Sequence, residues 1–316
     1  MSAAPVGVLV MAHGTPDDPG QIEEFYTAIR RGRPPTPELL AELTGRYEAI
    51  GGLSPLTART WAQVRALAAA LDEARPGAFA VRLGTKYADP AIGPAVDRLA
   101  AEGVRRIVGL VLTPHRSSMG SGEYHRRAVD AVEAGGTGIA YTPVHGWHDA
   151  PGFAALLAHR LDAVLADALA DGGPVALFFT AHSLPTRVVA DGDPYPDEVR
   201  ASEEAVVAAS ALAGRTTWSV AWQSAGRTAD PWIGPDLLVE MWRVAEEGAT
   251  AVLVCPVGFV SDHLEVLYDL DIEAEQVAAS VGVPFTRTPS LNDDPGFLAV
   301  LADVVRRAAA GTDPPG

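Results

Sequence analysis

Of the 316 residues only one is cysteine, Cys255. A lone thiol cannot close an internal disulfide, hold an iron–sulfur cluster or complete a structural zinc site. Long apolar runs are also missing: the most continuous, Val6–Ala12 and Val108–Leu112, fall far short of a membrane span. The opening Met-Ser-Ala-Ala-Pro-Val lacks the basic region and separate apolar segment of a secretory leader. A cytoplasmic protein with no integral membrane segment is expected. Positive charge is scarce as well, with 24 Lys and Arg against 40 Asp and Glu and a net charge of −16. Such a chain repels phosphate backbones and anionic membrane surfaces, which argues against nucleic acid as a partner. Any anionic ligand has to be met by a local basic patch. The remaining composition, 48% hydrophobic and 20% charged, is that of a globular protein, and the length exceeds what one core usually fills.

Apolar runs ending in small, polar or proline residues alternate with stretches of helical periodicity, the pattern of an α/β protein. Strands are expected at Val6–Ala12, Phe79–Thr85, Ile107–Thr113, Ala176–Thr180, Thr217–Trp222 and Ala251–Cys255. Helices are expected at Ile22–Arg31, Ala58–Ala74, Ile92–Glu102, Tyr124–Ala134, Phe153–Leu169, Ser202–Leu212, Pro235–Glu247 and Gly296–Ala309. Two weak internal repeats run in the same order. Strand-like Val8–Met11 leads into Ala12-His13-Gly14-Thr15-Pro16, as Leu177–Thr180 leads into Ala181-His182-Ser183-Leu184-Pro185. Ala101-Glu102-Gly103 and Glu246-Glu247-Gly248 each precede a strand that closes on proline. This suggests a duplicated α/β domain, residues 1–150 and 151–316, with the last helix packing back on the first domain. In open α/β sheets ligands bind beyond the carboxyl ends of the strands. That rule points to His13, His115, His182 and the segment 258–265, in a cleft between the two halves.

A histidine at the end of a buried strand, as in Ala181-His182-Ser183, can act as base or metal ligand, or be satisfied by backbone partners. Downstream, Glu265, Asp269 and Glu273 recur every four residues, so a helix there stacks them into one acidic stripe. Their mutual repulsion needs a cation or proton to offset it, unless the stripe is simply a solvated face. The third cluster, Arg30-Arg31-Gly32-Arg33, is a natural dock for a polycarboxylate, or else a plain basic helix end. A histidine with a neighbouring carboxylate, fed by a row of oxygen ligands, describes a route for a divalent metal such as Fe²⁺.

Several segments together resemble the ferrochelatase family. They are Arg30-Arg31-Gly32-Arg33-Pro34, Arg46–Leu56, Ala181–Pro185, Asp193-Pro194-Tyr195-Pro196, Trp222-Gln223-Ser224 through Asp230–Asp236, and Pro256-Val257-Gly258-Phe259 through Asp262-His263-Leu264-Glu265. The likeness covers essentially the whole chain and is strongest to the soluble coproporphyrin III ferrochelatases. It implies two similar Rossmann-like domains, each a parallel sheet flanked by helices, around a porphyrin cleft. It also implies a monomeric enzyme that inserts Fe²⁺ into coproporphyrin III and hands its product transiently to the next haem-pathway enzyme. No cofactor beyond the substrate iron is implied, and Cys255 alone leaves no iron–sulfur cluster. Carried over by position, His182 and Glu265 match the metal-binding and proton-accepting pair, and Asp269 and Glu273 the acidic ladder that leads metal inward. Arg30, with Arg31 beside it, and Arg46, Tyr47, Ser54 and Tyr124 match positions that hold carboxylates or line the pocket.

One residue departs from the family pattern. Where soluble members read Ala-Tyr-Gly-Thr-Pro, with the tyrosine axial to product iron, this chain reads Ala12-His13-Gly14-Thr15-Pro16. His13 is therefore expected as the axial ligand, from the wall opposite His182. The change leaves open a different metal or tetrapyrrole (zinc, cobalt, protoporphyrin IX), or a non-catalytic haem or porphyrin carrier.

Overall fold

The computed structural model describes residues 4–311 apart from 171, 227 and 229. The first half runs β1 (Val6–Ala12), α1 (Ile22–Ile29), α2 (Pro37–Ala49), α3 (Leu56–Ala74), β2 (Phe79–Thr85), α4 (Ile92–Ala101), β3 (Arg106–Val111), α5 (Ser121–Ala134) and β4 (Ala140–Val144). The second runs α6 (Phe153–Ala168), β5 (Val175–His182), α7 (Thr186–Ala190), α8 (Tyr195–Ala209), β6 (Thr217–Gln223), α9 (Leu237–Glu246), β7 (Ala251–Cys255), α10 (Leu264–Tyr268), a π-helical segment Asp269–Ala274, α11 (Glu275–Val281), β8 (Phe285–Arg287) and α12 (Pro295–Ala310). Each half holds one four-stranded sheet, ordered β2-β1-β3-β4 and β6-β5-β7-β8, and every pairing is parallel. The strand order is therefore the same in both halves. β1 corresponds to β5, as the repeated Ala-His segment suggests.

The two central strands are apolar at nearly every position because both of their faces are buried. In β1, Val8 and Val10 face one core while Leu9 and Met11 face another. In β5, Leu177 and Phe179 face the same core as Val8, and Ala176 and Phe178 face a third. The shared core thus lies between the sheets and is filled from α3, α6, α8 and α12 by Leu67, Leu71, Leu161, Val199, Phe297 and Leu301. The outer cores are closed by α4 and α5 on one side and by α9 to α11 on the other. α12 crosses back to the first half, where the Arg106 guanidinium donates to the carbonyls of Ala308 and Ala309 at 2.6 and 2.7 Å. These carbonyls are among the unpaired acceptors of a helix end.

Several elements differ from the sequence expectation, each for a local reason. β4 and β8 are edge strands; β4 contains Pro143 and β8 has only three residues, so neither gives a clear alternating signal. α2 buries only Tyr47, which leaves almost no apolar periodicity, and it is started by Thr36, whose hydroxyl accepts from the Leu39 N–H. α8 begins at Tyr195, earlier than expected, with Pro196 in its first turn where a missing N–H costs nothing. α1 stops at Ile29 because Arg31 takes a left-handed conformation with φ 57°. Among the described residues no helix is long and apolar enough to cross a membrane.

Candidate active site

All strands of a parallel sheet end on one edge, so β1 delivers His13 and β5 delivers His182 to corresponding positions of the two halves. The ring Nδ1 of His13 donates to the carbonyl of Gly14 at 3.0 Å, and Nδ1 of His182 donates to the carbonyl of Ser183. A carbonyl can only accept, so in each ring Nε2 is the nitrogen left for other chemistry.

β7 ends at Cys255, and the loop that follows folds down over the end of β5. The Gly258 N–H donates to the Thr180 carbonyl at 3.0 Å, and a Cβ at this glycine would stand 2.6 Å from that of Ala181. This close approach brings Glu265, in the first turn of α10, to His182. Glu265 Oε1 lies 3.5 Å from His182 Nε2, and Oε2 lies 3.5 Å from His263 Nε2. One carboxylate thus sits between two imidazoles. Side chains of His182 and Glu265 keep 34% and 38% of their surface accessible, so a small ion can reach them from solvent.

Electrostatics follow from this packing. Burial opposes protonation of His182, but the Glu265 charge and hydrogen bond, the Ser183 carbonyl and Asp269 raise it to about 9. Burial pushes Glu265 up, and the two imidazoles pull it well below the usual carboxylate range. His13 is lowered, chiefly by burial, against the Gly14 carbonyl and the charge of Glu265. The ring of His13 stands 4.9 Å from Tyr87 and 5.8 Å from Phe25.

The acidic stripe is present, but past Tyr268 its helix widens into the π segment that carries Asp269 and Glu273. Burial and the Glu265 charge raise Asp269 to about 6, against a hydrogen bond from the Ser224 hydroxyl and the nearby Arg46. Arg46, reaching over from α2, supplies the offsetting cation. Its guanidinium lies 3.5 Å from Asp269, 4.0 Å from Glu273 and 4.7 Å over the Tyr268 ring.

The remaining expected residues are spread over the first half. Buried Tyr47 shares a 3.1 Å hydrogen bond with Thr15, beside His13. Ser54 is buried and its hydroxyl accepts from the Leu56 N–H at 3.2 Å, which starts α3. Tyr124 is buried in the first turn of α5. Arg30, over the Tyr26 ring at 5.6 Å, and exposed Arg31 stand at the end of α1.

Two residues escape the sequence reading. His263 lies in the quoted Asp262–Glu265 segment, yet only the fold shows that its ring turns to Glu265. Lys86 follows directly after β2, and its signal was in plain view, for it is the only lysine in the chain. Its Nζ is nearly buried, 2.6 Å from Glu123 and about 5 Å from the rings of Tyr87 and Tyr124.

The model of the ferrochelatase family matches residues 5–309. The chain belongs to this family. Similar proteins include a coproporphyrin III ferrochelatase from Geobacillus thermodenitrificans, 41% identical over 315 residues and 98% of either chain. A ferrochelatase from Thermus thermophilus is 42% identical over 319 residues, with 96% of this chain and 99% of that one covered. Among solved structures, SirB from Bacillus subtilis with Fe³⁺ aligns over 98% of this chain and 97% of its own, with a TM-score of 0.57. At 10% identity that likeness shows the chelatase-type fold alone.

Proposed function

We propose that this chain inserts ferrous iron into coproporphyrin III, with His182 and Glu265 as the metal-binding and proton-accepting pair. The observation that carries the reading is the Glu265 carboxylate held between the Nε2 atoms of His182 and His263 at a solvent-reachable strand end. Insertion exchanges the two pyrrole N–H protons of the porphyrin for one divalent cation, so it needs a cation receiver and a proton acceptor on the same ring face. His182 enters the cycle protonated. Capture of the metal displaces that proton from Nε2, because imidazole binds metal only as the neutral base. That proton leaves to solvent, and losing the imidazolium charge raises the proton affinity of Glu265, which accepts the first pyrrole proton. Once the cation has passed into the ring, the vacated Nε2 of His182 accepts the second, and Glu265 releases its own to solvent.

Asp269 and Glu273 pass the cation inward, and Arg46 keeps the empty stripe from repelling itself. On the opposite wall His13, with Nδ1 committed to Gly14, offers Nε2 as axial ligand to the product metal. Arg30, Arg31 and the nearly buried Lys86 meet the ring carboxylates, while Tyr47, Ser54 and Tyr124 line the pocket. No resident cofactor is needed beyond the substrate metal. The substrate choice rests on relatives such as the Geobacillus enzyme and on this set of cations, which suits the more heavily carboxylated ring. Steady-state anaerobic insertion of Fe²⁺ into coproporphyrin III and into protoporphyrin IX tests it. Preference for coproporphyrin supports the proposal. Faster protoporphyrin turnover overturns the substrate, and tight product retention without turnover favours a carrier.

A further inference from the structure

The loop that presents His263 and Glu265 is fastened from the other half of the molecule. Gln63, in the middle of α3, is 1% exposed, and its amide nitrogen donates one hydrogen to Ser261 Oγ at 2.8 Å and the other to the Asn292 carbonyl at 2.9 Å. Asn292, in a left-handed conformation with φ 47°, is stitched to the same loop. Its N–H donates to the Val260 carbonyl at 2.8 Å, its Oδ1 accepts from the Asp262 N–H at 2.9 Å, and its Nδ2 donates to Asp262 Oδ2 at 2.8 Å. One turn earlier on α3, Arg59 faces Asp262 at 4.0 Å and Asp293 at 3.8 Å. Gln63 therefore holds both segments, 260–262 and 292, at one point two residues before His263 and four before Glu265.

The amide oxygen of Gln63 is buried and has no hydrogen-bond partner. Flipping the amide would set this oxygen against the Asn292 carbonyl, so the orientation is fixed. A buried acceptor without a donor costs stability, and an apolar side chain of similar volume would exchange that cost for two others, leaving the Ser261 hydroxyl and the Asn292 carbonyl without this donor. What the glutamine supplies is one fixed joint between α3 and both segments of the loop.

We propose that Gln63 is a positioning residue that fixes, across the two halves, the distance and orientation of Glu265 and His263 relative to His182. This rests on the reading of those residues as the metal-capturing group. The test compares wild type with Gln63→Leu and Ser261→Ala for Co²⁺ binding without porphyrin, followed by the visible absorption of the ion, and for insertion kinetics and Tm. In Gln63→Leu, Co²⁺ affinity and kcat/KM for metal should fall about tenfold, the size usual when a supporting partner of a metal ligand is lost. The KM for porphyrin should hold, and Tm should fall only modestly, since two acceptors lose a donor while the orphaned amide oxygen is removed. Ser261→Ala should move the same quantities the same way by less.

Wild-type Co²⁺ binding and metal kinetics in Gln63→Leu, or losses that fall equally on the metal and the porphyrin parameters, would overturn the positioning role. Should Gln63→Leu fail to fold, unaltered metal parameters in Ser261→Ala would overturn it as well. A wild-type protein that binds Co²⁺ but inserts no metal would sink the proposed reaction instead, and the Co²⁺ affinities would still decide the role of Gln63. Absence of Co²⁺ binding in wild type would remove both.

Discussion

His13 and His182 are equivalent residues of the two halves, and each donates its Nδ1 hydrogen to the carbonyl of the residue that follows it, Gly14 or Ser183. What distinguishes them is the partner of Nε2. His182 meets the carboxylate of Glu265, while His13 stands among the rings of Phe25 and Tyr87. The Glu265 charge raises the first to about 9, and desolvation among its neighbours lowers the second below its ordinary value of 6.5, although the His13 side chain keeps an exposed face. A neutral imidazole with its Nδ1 engaged is the form that ligates haem iron. Wild type, His13→Tyr and His13→Ala loaded with ferric coproporphyrin should therefore give three different electron paramagnetic resonance spectra, imidazole-ligated only in wild type. Identical spectra in all three would detach His13 from the metal.

Removing the pair on the other wall should stop the chemistry. His182→Ala and Glu265→Gln should each lower kcat by about 10²–10⁴, the usual contribution of a placed proton acceptor. Porphyrin affinity, read by fluorescence quenching, should change little. Near-wild-type turnover in either variant would refute the role of that residue.

Along the stripe, Asp269→Asn should raise the KM for metal about tenfold and leave that for porphyrin unchanged, because on the proposed reading Asp269 follows Glu265 along the metal route and has no part in holding the porphyrin. Unaltered metal kinetics with a higher Tm would mean that this carboxylate only burdens the fold.

The cations differ in burial, and so should their variants. Arg30 lies on the surface at the end of α1, where an ion pair contributes about 1 kcal/mol or less. Nearly buried Lys86 is already held by Glu123 at 2.6 Å, and a ring carboxylate that joined this desolvated pair would be worth on the order of 2 kcal/mol or more. Lys86→Met should thus weaken coproporphyrin more than Arg30→Ala does, and both should weaken protoporphyrin IX less. Equal losses for the two porphyrins would argue against carboxylate recognition at these positions.

Two buried histidines away from the Glu265 cluster set the acid limit of the fold. His115, bonded to Ser202 at 2.8 Å, is pushed down to about 3 by burial and by His148. His125, between the Tyr141 hydroxyl and the Val144 carbonyl, is pushed down to about 4, mainly by burial. The unfolded chain takes up protons at both below the ordinary value of 6.5 and the native state refuses them. Their contribution is complete above that value and is lost as pH falls toward 4. Together they should give a slope of about 2.7 kcal/mol per pH unit near pH 5, roughly halved in His115→Gln. His182 works in the opposite sense, its contribution being full below 6.5 and lost as pH rises through about 9. Urea unfolding from pH 4 to 9 measures both limbs, and a flat acid limb would contradict the burial of these rings.

The central strands were legible because burial on both faces makes their sequence continuously apolar, and their ends then marked His13 and His182. Glu265 and Asp269 were legible from their spacing next to a strand end. Arg46 was harder to place, since α2 buries a single side chain and so left no trace of which wall it would reach. The turn of His263 toward Glu265 depends on a loop pinned by Gly258, Asn292 and Gln63, contacts between segments far apart in the chain. Spacing along a sequence carries no record of such contacts.

Because α12 fills the space beneath the first sheet, β1 and β3 cannot finish burying their inner faces during synthesis until residues 295–310 have left the ribosome. Until then Val8, Val10, Val108 and Leu110, all fully buried in the native state, lack part of their cover. A nascent chain stalled after β4 should accordingly be protease-sensitive and bind a hydrophobic dye, and only a chain carrying α12 should lose both properties.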